Sequence, residues 1–105
     1  MRAENFDGLQ VAIHLVEKVV IDQLLLIDLV CMGITGREAI ITSAKDRTHS
    51  SNSLHYKGLA IDIRTSGLSR PDQLKLVLAL QGSLGDSWDV VLEQTHIHIE
   101  YDPKR

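Results

Sequence analysis

Two stretches in the second half of this chain alternate with a period of two. In residues 59–64, Leu59, Ile61 and Ile63 point one way, and Ala60, Asp62 and Arg64 point the other. In residues 96–101, Ile97, Ile99 and Tyr101 point one way, and His96, His98 and Glu100 point the other. Strands with one aliphatic and one polar face need a core on one side only. The pattern therefore constrains the chain to a sheet covered on a single face. If both aliphatic faces meet the same core, Asp62 and the two histidines share the opposite face. Ala60 leaves room beside Asp62.

The remaining elements follow from periodicity and punctuation. Residues 8–31 predict a long helix, with Asp7 as its N-cap and Gly33 as its stop. Its polar stripe carries Gln10, His14, Glu17, Lys18, Asp22 and Asp28, and aliphatics fill the rest. Its many Val and Ile lower helix propensity, so burial must hold it. Residues 37–43 predict a first strand and residues 59–64 a second. Between them, residues 44–56 read as an ordered polar loop of a length that often carries function. Thr65, Ser66 and Gly67 form a turn. Ser69 then caps a second helix, with Pro71 in its first turn and Asp72 three residues after the cap. Gly82 and Gly85 end that helix. Residues 88–92 and 96–101 give a third and fourth strand. Pro103 closes the domain.

The expected fold is α+β: a small, mainly antiparallel sheet with two helices on one face and the candidate site on the other. The whole chain, residues 1–105, reads as a single domain, long enough to bury a core without disulfides. The lone Cys31 sits among Leu29, Val30 and Met32 and reads as a small buried hydrophobe. A net charge of −3 gives no electrostatic case for nucleic acid or an anionic membrane. Glu17, Lys18, Asp22 and Asp28 interrupt the apolar N-terminal segment, which argues against a membrane span. The first residues lack the pattern of a secretory signal peptide. The expectation is a protein made in the cytoplasm; if it acts outside, another factor must carry or release it.

Chemistry concentrates in two places. Ser53 to Asp62 supplies His55 and Asp62, and Glu93 to His98 supplies a carboxylate and two imidazoles. His55 lies seven residues before Asp62, on the loop that enters the strand, and Gly58 permits a tight approach over the sheet face. That inventory fits a metal site with one position left for water. Each residue also has an ordinary reading. Histidine and acid pairs occur on solvated strand faces without metal, Glu93 can serve as a turn acid, and His14 and His49 can be solvated. Asp46 can form an Asx turn.

The motif Ser53-x-His55-x-x-Gly58-x-Ala60-x-Asp62, followed by Glu93-x-x-His96-x-His98, resembles a group of zinc peptidases. The group includes D-alanyl-D-alanine carboxypeptidases, phage L-alanyl-D-glutamate endopeptidases and the hedgehog signalling domain. The likeness runs from about Ile40 to Tyr101. It implies one zinc ion held by His55, Asp62 and His98. It makes Glu93 the general base, His96 an active-site neighbour and Ser53 a substrate contact. Relatives with only Glu-x-x-His would instead align His96 with the ligand. The substrate-binding arginine of many relatives has no clean counterpart. Arg47 is the nearest residue suited to gripping a carboxylate, and it reads equally as a solvated loop arginine.

The resemblance implies zinc-dependent hydrolysis of a D-Ala-D-Ala or L-Ala-D-Glu type bond in peptidoglycan stem peptides, in a small phage-type enzyme that acts on the cell wall after release by another factor or carriage by a virion. Two other classes compete with it. One is a non-catalytic zinc-containing binding or virion structural module. The other is a metal-free domain with solvent-facing histidines.

Overall fold

The alternation in residues 59–64 and 96–101 yields two paired strands at the centre of a sheet. The structure, a computed structural model, describes residues 2–3, 5–6, 9–10, 18–43 and 59–103. In chain order they form β1 (Arg2–Ala3), β2 (Asn5–Phe6), β3 (Leu9–Gln10), α1 (Lys18–Ile21) and α2 (Leu24–Thr35). Then come β4 (Ile40–Ser43), β5 (Ala60–Arg64), α3 (Arg70–Leu84), β6 (Trp88–Leu92) and β7 (His96–Tyr101).

The main sheet has the order β1-β4-β5-β7-β6. Its four longer strands are antiparallel, and the two-residue β1 joins β4 in parallel. β2 and β3 form a separate antiparallel pair. The described residues thus make a small α+β domain, as the alternation predicts.

Ile61 and Ile63 of β5 and Ile97 and Ile99 of β7 are fully or almost fully buried in one cluster. Trp88 and Val90 of β6 extend it, and Val20, Ile27, Cys31, Leu76 and Leu80 bring the helices onto the same face. Each such aliphatic side chain contributes about 1.5–3 kcal/mol by leaving water. The Trp88 and Tyr101 rings meet edge to face, with centroids 5.3 Å apart, at the end of the β6–β7 pair. Burial pushes the Cys31 thiol up to about 12, which suits a packing residue and not a nucleophile.

The ends of α3 are those the sequence predicts, with one exception. Ser69 accepts a hydrogen bond from the Asp72 N–H at 3.2 Å, and Gly85 is the C-cap at φ +94°. Gly82 lies inside the helix instead of ending it. Gln81 then ties the helix to the sheet: its Nε2 donates to the Trp88 carbonyl at 2.7 Å, and its Oε1 accepts from the Val90 N–H at 3.1 Å.

The N-terminal helix departs from expectation. Leu9–Gln10 is a strand, not the start of a helix, and the expected cap Asp7 lies outside the described residues. The helical part is broken after Ile21, where Gln23 N–H bonds the Val20 carbonyl at 3.0 Å in a tightened turn. The β-branched run Val19-Val20-Ile21 is a poor helix former and ends the first segment. The C-terminal stop is Gly36 at φ +73°, three residues beyond Gly33, because Ile34 still packs on the core. The aliphatics are not all inward: Leu25 and Leu29 are 69% and 60% exposed. The first strand begins at Ile40, later than its predicted start at residue 37.

Asp28 anchors this helix to the sheet. Its Oδ1 accepts from the Ala39 N–H at 2.9 Å, just ahead of β4. Partial burial alone would raise its carboxyl, but the Ala39 N–H and its other interactions outweigh this and hold it below the usual value. Ala39 is buried, so Asp28→Ala leaves a donor unsatisfied and should cost about 1–3 kcal/mol in urea denaturation at neutral pH. A lowered folded pKa means the contribution is present above the unfolded value of about 3.9 and fades as pH falls through the folded value. The gap between wild type and Asp28→Ala should therefore narrow toward pH 3 (roughly, by the same linkage). An equal gap at both pH values would contradict this assignment.

Candidate functional site

Register decides which side chains meet on the face away from the helices. β5 and β7 align Asp62 with His98, Arg64 with His96 and Ala60 with Glu100. Because Ile61 opposes Ile99 and Ile63 opposes Ile97 in the core, the polar partners are forced together on the other side. β6 adds Asp89 opposite Glu100 and Val91 opposite His98.

Asp62 is 8% exposed and lies between two imidazoles. His98 Nδ1 is 2.9 Å from Asp62 Oδ1, and His96 Nε2 is 3.5 Å from Asp62 Oδ2. The second nitrogen of each ring is also engaged. His98 Nε2 meets Glu100 Oε1 at 2.5 Å, and His96 Nδ1 meets the Thr95 hydroxyl at 3.1 Å. The hydrogen bond to Asp62 raises the His98 pKa; partial burial opposes this, and Glu100 adds to the rise. The two flanking carboxylates favour the protonated form of the ring, in which both nitrogens donate.

Asp62 offers carboxylate oxygens and His96 and His98 offer imidazole nitrogens, donor types that zinc accepts. Glu100 at His98 Nε2 fixes the orientation of that ring. Such carboxylate support of a ligating histidine is a common second layer of metal sites. The alternation places Glu100 on this face, but sequence reasoning gave it no role.

The structure brings together Asp62, His96 and His98 of the residues singled out from sequence. His55, Ser53 and Arg47 lie outside the described residues, as does the polar loop that carries them. Glu93 sits on the β6–β7 turn with its side chain exposed, and its N–H donates to the His96 carbonyl at 2.8 Å. That bond ties the start of β7 to the residue expected to act as base.

A second group was not anticipated. Asp89, Glu100 and Asp102 place one carboxylate oxygen each within 4.8 Å of the others, so among the described residues this acidic cluster could hold a metal ion. Exposed acidic groups of this kind are common without one. Its assembly depends on the β6–β7 register, which spacing alone does not reveal. Among the described residues no helix is long and apolar enough to cross a membrane.

Comparison of the chain with protein-family models gives no match, and comparison with curated proteins gives none either.

Proposed function

We propose that the chain is a zinc-dependent peptidase acting on bacterial cell-wall stem peptides, at a bond of the D-Ala-D-Ala or L-Ala-D-Glu type. The observation that carries this reading is the pairing of Asp62 with an imidazole at each carboxylate oxygen, on the sheet face opposite the core. Asp62 and His98, with His55 from the preceding loop, would hold the metal. Zinc, when bound, lowers the pKa of water and polarises a peptide carbonyl.

The chain's own groups supply the rest. Glu93 accepts a proton as the water oxygen bonds to the carbonyl carbon. It returns that proton to the amine as the C–N bond breaks, so the charges balance over the cycle. His96 donates from its ring to the oxygen that becomes negative. Ser53 and Arg47 contact the substrate, the arginine through a carboxylate.

The test is release of free amines from purified stem peptides or peptidoglycan. Protein with zinc should release them, and protein stripped by a chelator should not until zinc is restored. Equal release in the stripped protein would defeat the reading.

The exposed position of Glu93 favours a second reading, a metal-containing recognition or virion structural module on the same fold. It predicts bound metal with no hydrolysis of any wall fraction.

A further inference from the structure

A cavity of about 170 Å³ opens on the other side of the sheet, where α2 ends, β4 begins and the turn after β5 passes. It is far larger than the roughly 10–15 Å³ one water requires, and a cavity of about 150 Å³ is known to take a benzene ring. Its inner lining is apolar: Cys31, Ile63 and Leu76 are buried core residues, and Leu68 packs against them. Its rim is charged. Arg37, Glu38 and Arg64 are among its lining residues.

The position of Arg37 is built into the chain. Gly36 takes the left-handed conformation at the end of α2, and the Thr35 hydroxyl donates to the Cys31 carbonyl at 2.8 Å. The same hydroxyl accepts the Arg37 N–H at 3.1 Å, which directs the chain past the cavity. The guanidinium then lies over Gly67, where an added Cβ would come within 2.6 Å of Arg37 Nη1. Gly67, at φ +85°, supplies both the turn and the space.

We infer that this cavity binds a small aliphatic carboxylate, with its chain against Cys31, Ile63, Leu68 and Leu76 and its carboxylate on Arg37. An apolar floor with the Arg37 guanidinium at the mouth matches an amphipathic anion. A bare phosphate would leave the floor unfilled, and an alcohol would leave the charge unanswered. The proposed contacts include none of the candidate metal or catalytic residues, so the inference stands or falls independently of the peptidase reading.

The experiment is a titration of the full isotope-labelled chain with hexanoate, followed by amide chemical shifts. Saturable shifts should centre on Cys31, Ile63, Leu68 and Leu76, with roughly millimolar affinity for a ligand of about eight non-hydrogen atoms. Hexanol, acetate and phosphate, each lacking the chain or the carboxylate, should bind at least about tenfold more weakly. Arg37→Gln should weaken hexanoate by about tenfold, and Arg37→Lys should recover part of the loss. Arg37 is exposed, so both variants should keep the wild-type spectrum elsewhere. The inference is overturned if hexanoate gives no saturable shifts around the cavity, if Arg37→Gln binds it as wild type does, or if hexanol, acetate or phosphate binds equally well.

Discussion

Glu93→Gln should reduce stem-peptide hydrolysis by roughly 10²–10⁴-fold while leaving the metal in place. The amide keeps the size and polarity of the carboxylate but cannot accept a proton at neutral pH. Glu93 is exposed on a turn, and its structural role runs through its backbone N–H to the His96 carbonyl. The substitution should therefore leave thermal stability within about 0.5 kcal/mol of wild type. Its expected signature is a fall in kcat with unchanged metal content and unchanged melting. Unchanged activity would remove Glu93 from the mechanism. A fall in activity with loss of metal would instead make it part of the ligand set.

Ile61→Ala should have the largest effect on stability. Ile61 is fully buried on the central strand β5, in the cluster shared by sheet and helices. Truncating such a residue removes buried methyl groups and leaves a cavity, at a cost of about 2–5 kcal/mol. For a domain of this size that corresponds to a fall in Tm of roughly 10–30 °C. Leu78→Ala provides the contrast: Leu78 is 74% exposed, and its loss should change stability by less than about 0.5 kcal/mol. Similar Tm values for the two variants would show that β5 is not the centre of the core.

The strands were legible because period-two alternation is local. Ile61 and Ile63, like Ile97 and Ile99, could face a core in only one way, and that fixed the side on which Asp62, His96 and His98 lie. Ser69 was equally readable, because a cap and its Asp72 partner are three residues apart. The N-terminal region was not. Its aliphatics carry Leu25 and Leu29 outward as well as Val20 and Ile27 inward, so no face stands out from the pattern. Glycine was ambiguous for a related reason. Gly33 and Gly82 remain helical because neighbouring apolar side chains pack beyond them, whereas Gly36 and Gly85 take positive φ and end their helices.

At the site, the residue types were legible and their partners were not. Glu100 next to His98 follows from alternation, but the contact of its carboxylate with Nε2 depends on side-chain placement. The convergence of Asp89, Glu100 and Asp102 depends on strands pairing across a turn, information that no single stretch contains.

That acidic cluster makes metal content the most direct test of the central claim, that Asp62 and His98, with His55, hold the metal. Elemental analysis of protein purified without a histidine tag should find about one zinc per chain in wild type and in Asp102→Asn. It should find almost none in Asp62→Ala, with folding of each variant checked by circular dichroism. Wild-type protein without stoichiometric metal, or folded Asp62→Ala that keeps its zinc while Asp102→Asn loses it, would contradict the account.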